Sequence, residues 1–299
     1  MKSRWLIVLC LLVCSASPAA ENSLPPPTFA DVSYGPHERN VLDLWQAKTK
    51  GPAPLLIFIH GGGWHGGEKT ELPAKLLAEM LKHGISVASL NYRFTFMAPL
   101  PAPILDAARA VQFLRSRAAE WKLDPARFAA YGISAGASTA LWLAYHDDLA
   151  DPQSADPIAR LSTRLQAVAA LSPQTCLEPQ LLIDWVGPKV LEHAMLIRAV
   201  QAKKAAELQP PKPEWSALFH EYSALTHVSA GDPPVIVSNP HFDPLPATSA
   251  GSAIHHAIYG AKLKEKADSV GVTCILRLED NPGTTPRPED FLIEQLHAK

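Results

Sequence analysis

The 299-residue chain has few cysteines and, after its first twenty residues, no long apolar run. Of its 4 cysteines, Cys10 and Cys14 lie in the apolar N-terminal run, which leaves Cys176 and Cys274 for the remainder of the chain. Their wide separation gives no local sign of pairing, so a disulfide between these two residues stays open. No CxxC motif and no histidine pair with metal-ligand spacing occurs, so we expect no metal and no cofactor.

No segment of the chain concentrates charge of one sign. The 27 Lys and Arg residues nearly balance the 29 Asp and Glu residues, for a formal net charge of −2. This pattern argues against a nucleic-acid partner, because such proteins concentrate Lys and Arg on one face. With 47% hydrophobic residues, the chain is too apolar to be disordered and long enough to bury a large core.

The N-terminal residues have the pattern of a secretory signal. Lys2 and Arg4 precede the apolar run 5–14, and small residues follow over 15–20. This order predicts a signal peptide at 1–20 and a mature domain at 21–299 that is secreted or periplasmic. An uncleaved anchor is the alternative, but about ten apolar residues are too few to cross roughly 30 Å of hydrocarbon. No later segment approaches the length of a span, so we expect none in the mature chain.

Strands and helices alternate along the rest of the sequence. The predicted strands are 31–34, 41–45, 55–59, 85–90, 127–131, 166–171, 234–238 and 273–278. The predicted helices are 71–83, 104–121, 135–146, 253–270 and 288–297. Such alternation predicts an α/β fold with a predominantly parallel central sheet and helices on both faces. Residues 177–230 interrupt the rhythm and are expected to form a small helical cap over the carboxyl edge of the sheet.

A serine lies between a predicted strand and a predicted helix, in the pattern Gly132-Ile133-Ser134-Ala135-Gly136. A sharp strand-to-helix turn exposes the serine hydroxyl, and small neighbours let the strained backbone pass close to the sheet. The pattern alone is weak, because a small-residue turn at a helix start is common.

A second glycine-rich motif, His60-Gly61-Gly62-Gly63-Trp64, follows the predicted strand 55–59. Unshielded backbone N–H groups in such a loop can point at a substrate oxygen and form an oxyanion hole. A phosphate cradle would instead require G-x-x-x-x-G-K-[ST], which this loop does not contain.

Together these motifs make the sequence resemble the α/β-hydrolase superfamily, in the branch of hormone-sensitive-lipase-like and bacterial feruloyl-esterase-like carboxylesterases. The resembling stretches are IFIHGGGWHGGEK (57–69), SLNYRF (89–94), PAPILDAARAVQFLR (101–115), YGISAGAS (131–138) and FDPLPATSAG (242–251). The resemblance covers most of residues 40–280 and implies an α/β-hydrolase fold.

The superfamily uses a Ser–Asp–His triad in that chain order. The resemblance implies that Ser134 is the nucleophile and that Asp243 is the acid that orients the base. It also implies that the backbone N–H groups of Gly61, Gly62 and Ala135 bind the oxyanion. An ordinary turn or helix-capping role remains the alternative for Asp243.

The histidine of the triad is missing from its usual place. The superfamily carries its base in a short loop after the last strand, but the loop 279–287 has no histidine here, nor does any position from 257 to 296. His60 is not the substitute, because the resemblance places that residue behind the oxyanion loop in a structural role.

Four other histidines are candidates for the base. His256 is our candidate and His255 the alternate, because both follow Asp243 closely and begin the predicted helix 253–270. Neighbouring residues on a helix point about 100° apart, so at most one of the two faces the nucleophile. His220 or His227 of the cap, or no base at all, are the remaining possibilities.

The sequence therefore predicts an exported serine carboxylesterase that acts on small or medium acyl esters. Either a small-molecule ester or an acylated polysaccharide fits this reading. The alternative is a non-catalytic or weakly active relative that binds through the same pocket, because a serine without a base is a poor nucleophile. A peptidase or amidase on the same fold is a third class. The oligomeric state stays open.

Overall fold

The computed structural model describes residues 24–298, so the predicted signal peptide lies outside the described part. The strands are β1 (Phe29–Ser33), β2 (Val41–Trp45), β3 (Ala53–Ile59), β4 (Ser86–Leu90), β5 (Leu123–Ile133), β6 (Ala167–Leu171), β7 (Val235–Asn239) and β8 (Cys274–Leu278). They form one sheet in the order β1-β2-β4-β3-β5-β6-β7-β8. Pairings of β1 with β2 and of β2 with β4 are antiparallel, and the other pairings are parallel. The predicted α/β-hydrolase fold is confirmed.

The central strands are buried on both faces, as expected for parallel strands that are covered by helices. In β3, Leu55, Ile57 and Ile59 face one apolar cluster, while Leu56 and Phe58 face the other. All five side chains are fully buried. This is why the segment has a continuous apolar run instead of the alternation of a half-exposed strand.

Helices cover the sheet between the strands. They are α1 (Ala74–Lys82), α2 (Ala102–Ser116), α3 (Ala135–Tyr145), α4 (Pro179–Val186), α5 (Ala194–Ala199), α6 (Pro213–Glu221), α7 (Ala224–His227), α8 (Ala250–Ile254), α9 (Ile258–Ser269) and α10 (Pro288–His297). Helices α4 to α7 fall within 177–230, between β6 and β7. This insertion packs on the main domain through backbone hydrogen bonds such as Ala247 N–H to Val186 O and Leu225 N–H to Thr175 O.

The predicted single helix 253–270 is wrong, because the chain breaks between α8 and α9. A capping box in which Ser249 and Ser252 satisfy each other's backbone N–H groups starts α8 early. The His256 imidazole then accepts the N–H of Ile258 at 2.9 Å, at the first residue of α9. A side chain that accepts an N–H two residues ahead begins a new helix at that point. The break decides where the neighbouring histidines point.

Both remaining cysteines are buried free thiols, so the disulfide that the sequence left open is not formed. Burial raises the pKa of Cys176 and of Cys274 to about 12. Within residues 24–298, no helix combines the length and apolar character needed to cross a bilayer.

Candidate active site

Ser134 lies in a strained turn between β5 and α3. Its backbone angles are φ 52° and ψ −119°, a region that residues with a side chain rarely adopt. The flanking glycines make the turn possible, since a Cβ on Gly132 would overlap the backbone of Gly136, and one on Gly136 would overlap the carbonyls of Ile59 and His60. The serine hydroxyl is thus presented at the N-terminus of a buried helix, where partial positive charge favours an anion.

The glycine loop after β3 lies directly against this turn. A Cβ on Gly61 would lie 3.0 Å from Ile133 O and 3.5 Å from Ser134 Cβ. Gly62 has φ +90°, a conformation that favours glycine. Among the described residues, the N–H groups of Gly61, Gly62 and Ala135 have no backbone or side-chain acceptor. These three N–H groups belong to the loop packed against the Ser134 turn and to the residue that follows Ser134, and the oxyanion role that the resemblance implies for them stays a prediction.

His60 and Tyr92 hold the glycine loop from behind. The Tyr92 hydroxyl lies 2.9 Å from both His60 O and Gly61 O and donates to these carbonyls. The His60 ring stacks on Tyr92 with ring centroids 4.2 Å apart, and its Nδ1 lies 2.9 Å from Gly61 O. Burial lowers the pKa of His60 to about 4, so the ring is neutral at physiological pH. The contacts of His60 are those of a structural residue.

The imidazole beside Ser134 belongs to His255. Its Nε2 lies 2.9 Å from Ser134 Oγ, within hydrogen-bond reach. Its Nδ1 lies 3.2 Å from Gly251 O, one turn earlier in α8. A carbonyl only accepts, so Nδ1 carries the hydrogen and Nε2 presents its lone pair to the serine hydroxyl. This is the tautomer that a general base requires.

His256, our first candidate for the base, is not the histidine that contacts Ser134. Its Nε2 hydrogen-bonds the backbone carbonyl of Asp243 at 2.9 Å, and its Nδ1 accepts the N–H of Ile258. Both ring nitrogens are therefore engaged, and the side chain is buried. The break between the two helices turns His255 toward Ser134 and His256 into the protein. The alternate candidate, His255, is the histidine that contacts Ser134.

Asp243 does not contact the histidine beside Ser134 either. Its carboxylate Oδ1 lies 3.0 Å from Nε2 of His241, on an exposed loop. In the described part of the chain, His255 forms no ion pair with a carboxylate, and its Nδ1 partner is the Gly251 carbonyl. The expected triad acid is thus replaced by a backbone dipole, which fixes the ring but carries no full charge.

Two amide side chains that the sequence analysis missed hold this segment in place. The buried Gln174 donates its Nε2 to Ile254 O at 2.9 Å, and its Oε1 accepts the Ser138 hydroxyl at 3.0 Å. Asn239 Nδ2 donates to His255 O at 3.3 Å. Gln174 therefore connects α3 with the segment that bears His255. No motif marks these residues, because their partners are distant in sequence.

A further histidine ring packs against His255. The His193 ring meets the His255 ring edge to face, with centroids 6.2 Å apart. Burial, together with the nearby His255 and His65, lowers the pKa of His193 to about 4. Neutral imidazoles, rather than carboxylates, form this part of the site.

The cap histidines that the sequence left open as bases make other contacts. His220 is exposed and lies 3.2 Å from Glu178, while His227 lies 2.6 Å from Glu221 O. Neither forms a hydrogen bond with Ser134 in the part of the chain that the structure describes. A separate group of possible metal ligands contains His227 and is treated below.

A small cavity of about 240 Å³ opens at the carboxyl edge of the sheet, beside the Ser134 segment. Its lining residues are Leu171, Ser172, Ser238, Asn239, Pro240 and Glu279. The Leu171 carbonyl accepts the Ser134 N–H at 2.8 Å, and Asn239 contacts the His255 backbone. Two residues that line the cavity, Leu171 and Asn239, therefore also hydrogen-bond the backbone of Ser134 and of His255.

Comparisons with known proteins agree with this architecture. The family model BD-FAE matches residues 42–258. Esterase LipQ of Mycobacterium tuberculosis is 27% identical over 240 residues, which cover 78% of this chain and 53% of LipQ. Probable carboxylic ester hydrolase LipM of the same organism is 26% identical over 219 residues, or 72% of this chain and 48% of LipM. The chain thus spans about half the length of these curated relatives.

A solved structure, the truncated form of a carbohydrate esterase from gut microbiota, superposes with a TM-score of 0.72 at 19% identity. The match covers 92% of this chain and 100% of that one, and at this identity it supports the fold alone. Taken with the family model, which spans most of the sheet and both glycine motifs, it shows that the chain belongs to the BD-FAE family of α/β-hydrolases.

Proposed function

We propose that the protein is a carboxylic ester hydrolase that uses Ser134 as nucleophile and His255 as general base. The observation that carries the proposal is the 2.9 Å separation between Ser134 Oγ and His255 Nε2 in the strained turn. A serine hydroxyl needs such an adjacent base to become a nucleophile. The names of LipQ and LipM, both esterases, support the same reaction class.

In this reaction His255 Nε2 takes the hydroxyl proton while Ser134 Oγ bonds to the ester carbonyl carbon. The carbonyl oxygen becomes an oxyanion, which accepts from the N–H groups of Gly61, Gly62 and Ala135. His255 then gives the proton to the departing alcohol and leaves an acyl-enzyme. Water, deprotonated by His255, then attacks the acyl-enzyme, and the carboxylic acid is released as Ser134 regains its proton.

The Gly251 carbonyl gives His255 a defined tautomer but little stabilisation of the imidazolium that forms. In a well-studied triad, loss of the aspartate's function lowers kcat by about 10⁴. We therefore propose slow turnover. The same observation favours the second candidate, a binding protein that retains the site without useful catalysis.

The substrate that we propose is a small or medium acyl ester, carried by a small molecule or a polysaccharide. A structural neighbour with the same fold is a carbohydrate esterase, which supports a sugar as the alcohol. We also propose export, because residues 1–20 have the signal-peptide pattern.

Labelling with a fluorophosphonate probe tests the nucleophile. We expect wild type and the control Ser172→Ala to be labelled, because Ser172 lies at the same sheet edge outside the proposed reacting groups. Ser134→Ala should lose the label. A folded wild type that does not react would support the binding protein instead. Faster cleavage of an anilide than of the matching ester would move the proposal to an amidase.

The pH dependence provides a second test. Burial lowers the pKa of His255 below its ordinary value, although the Gly251 carbonyl opposes the shift. A base must be neutral, so kcat/KM should rise with pH through this lowered pKa and be level at neutral pH. The measurement is ester hydrolysis from about pH 4 to about pH 8, with circular dichroism at each pH to check folding. An acid limb above the ordinary histidine pKa of about 6.5 would contradict the assignment.

A further inference from the structure

Three metal-ligating side chains meet at the opposite end of α3 from Ser134. His146 follows the last residue of α3, Glu221 ends α6, and His227 ends α7. Their ligand atoms all lie within 4.8 Å of one another. The eleven-residue helix between them and the nucleophile is about 16 Å long at 1.5 Å per residue, so the cluster is separate from the proposed reaction.

The hydrogen bonds of His146 leave two acceptor atoms facing each other, His146 Nε2 and Glu221 Oε1. Its Nδ1 lies 2.8 Å from Asp147 O and must donate, because a carbonyl only accepts. In the neutral ring, Nε2 then points its lone pair at Glu221 Oε1, which lies 3.1 Å away and also only accepts. The two lone pairs repel each other, and a cation between them, either a proton or a metal ion, removes this repulsion by binding both atoms.

His227 approaches the same carboxylate from another side. Its Nε2 lies 3.9 Å from Glu221 Oε1 and 2.6 Å from the Glu221 carbonyl. That carbonyl already accepts the Trp142 Nε1–H at 2.9 Å. Because a carbonyl only accepts, His227 Nε2 carries the hydrogen in this structure and donates it to Glu221 O. Ion binding through Nε2 therefore requires the hydrogen on Nδ1 and the loss of this hydrogen bond, which frees the Nε2 lone pair for an ion shared with the Glu221 carboxylate.

We propose that His146, Glu221 and His227 bind a divalent transition metal of the Zn²⁺ type, with water as the fourth ligand. Two imidazole nitrogens and one carboxylate are ligands that Zn²⁺ prefers. Tetrahedral bonds of about 2.0–2.1 Å place ligand atoms about 3.3 Å apart. The observed separations of 3.1 Å and 3.9 Å lie on either side of that value.

The surroundings resemble those of a supported metal site. The Asp147 carbonyl fixes the His146 ring, a backing that metal-bound histidines commonly have. The Trp142 ring stacks on His146 with centroids 4.2 Å apart and meets His227 edge to face. Both imidazoles are one fifth exposed, so ion and water have access. The ion would join α6 and α7 of the insertion to the helix that begins after Ser134.

Zinc titration of the EDTA-stripped full chain tests this proposal. Calorimetry should show one equivalent of Zn²⁺ bound by wild type. Glu221→Gln and His227→Ala should each weaken that binding by about 10–100-fold or more, as loss of a ligand should exceed loss of an outer partner. His220→Ala, which removes an exposed histidine from the same helix as Glu221, is the matched control and should bind like wild type.

Thermal unfolding with and without Zn²⁺ separates loss of the site from loss of the fold. Each stripped variant should unfold cooperatively, and Zn²⁺ should raise the Tm of wild type and His220→Ala only, because an ion that binds the folded state stabilises it. A wild type that binds no Zn²⁺ would show that a proton, not a metal, lies between His146 Nε2 and Glu221 Oε1. Equal binding by all four proteins, or loss of binding in His255→Ala, would also overturn the proposal.

Discussion

Replacing His255 by alanine should lower kcat/KM for p-nitrophenyl acetate by about 10²–10⁴-fold, the usual contribution of a general base. The same change at His256 should reduce kcat/KM by less than about tenfold. The two residues are adjacent and chemically identical, but only His255 lies within 2.9 Å of Ser134 Oγ. His256 instead holds Asp243 O and the N–H of Ile258.

The pair of variants controls for damage to the fold. His256→Ala removes a buried side chain that hydrogen-bonds Asp243 O and the Ile258 N–H, so we expect it to lose about 1–3 kcal/mol of stability, the cost of leaving buried polar groups without partners. His255→Ala makes less of a structural change, yet it should be the less active protein. Added imidazole should restore part of the activity of His255→Ala only. A larger loss in His256→Ala, or no rescue by imidazole, would refute the assignment of the base.

The largest effect on stability is expected for Gly136→Ala, at about 3 kcal/mol. The new Cβ would overlap the backbone carbonyls of Ile59 and His60, and backbone atoms of a central strand cannot shift without disturbing the sheet. Because the same shift would move the oxyanion loop, activity should fall together with stability. Urea unfolding measures the change in free energy.

Gly51→Ala is the matched control, because a Cβ at Gly51 meets no atom within 4 Å. We expect its free energy of unfolding to stay within about 0.5 kcal/mol of wild type, as for an ordinary surface substitution. Equal stability of the two variants would mean that the turn around Ser134 tolerates a side chain, and the strained geometry described above would be wrong.

The sequence was sufficient to predict the sheet and the sharp turn that carries Ser134. Buried strands such as β3 have continuous apolar runs, and the two glycine motifs each follow a strand, so both signals are local. Gly132 and Gly136 are needed where backbones approach closely, and that need is visible in the sequence as a motif. Local rules were enough for these features.

The histidine and its supports could not be predicted in the same way. Whether His255 or His256 faces the serine depends on a helix break, and the break depends partly on a hydrogen bond that His256 itself makes. Gln174 contacts the Ile254 carbonyl across 80 residues. Likewise, 75 residues separate His146 from Glu221, so no spacing rule could bring them together. These contacts depend on the tertiary fold.

With the base at the junction between α8 and α9, the amino-acid sequence of the loop after β8 can vary more freely. On the proposed assignment, every reacting atom belongs to residue 255 or earlier in the chain. The loop 279–287 then contributes ordinary contacts, such as Arg277 with Glu279 and with the Thr285 carbonyl. On that assignment the loop holds no reacting group, and relatives that share the junction should accept insertions there while β8 stays paired with β7.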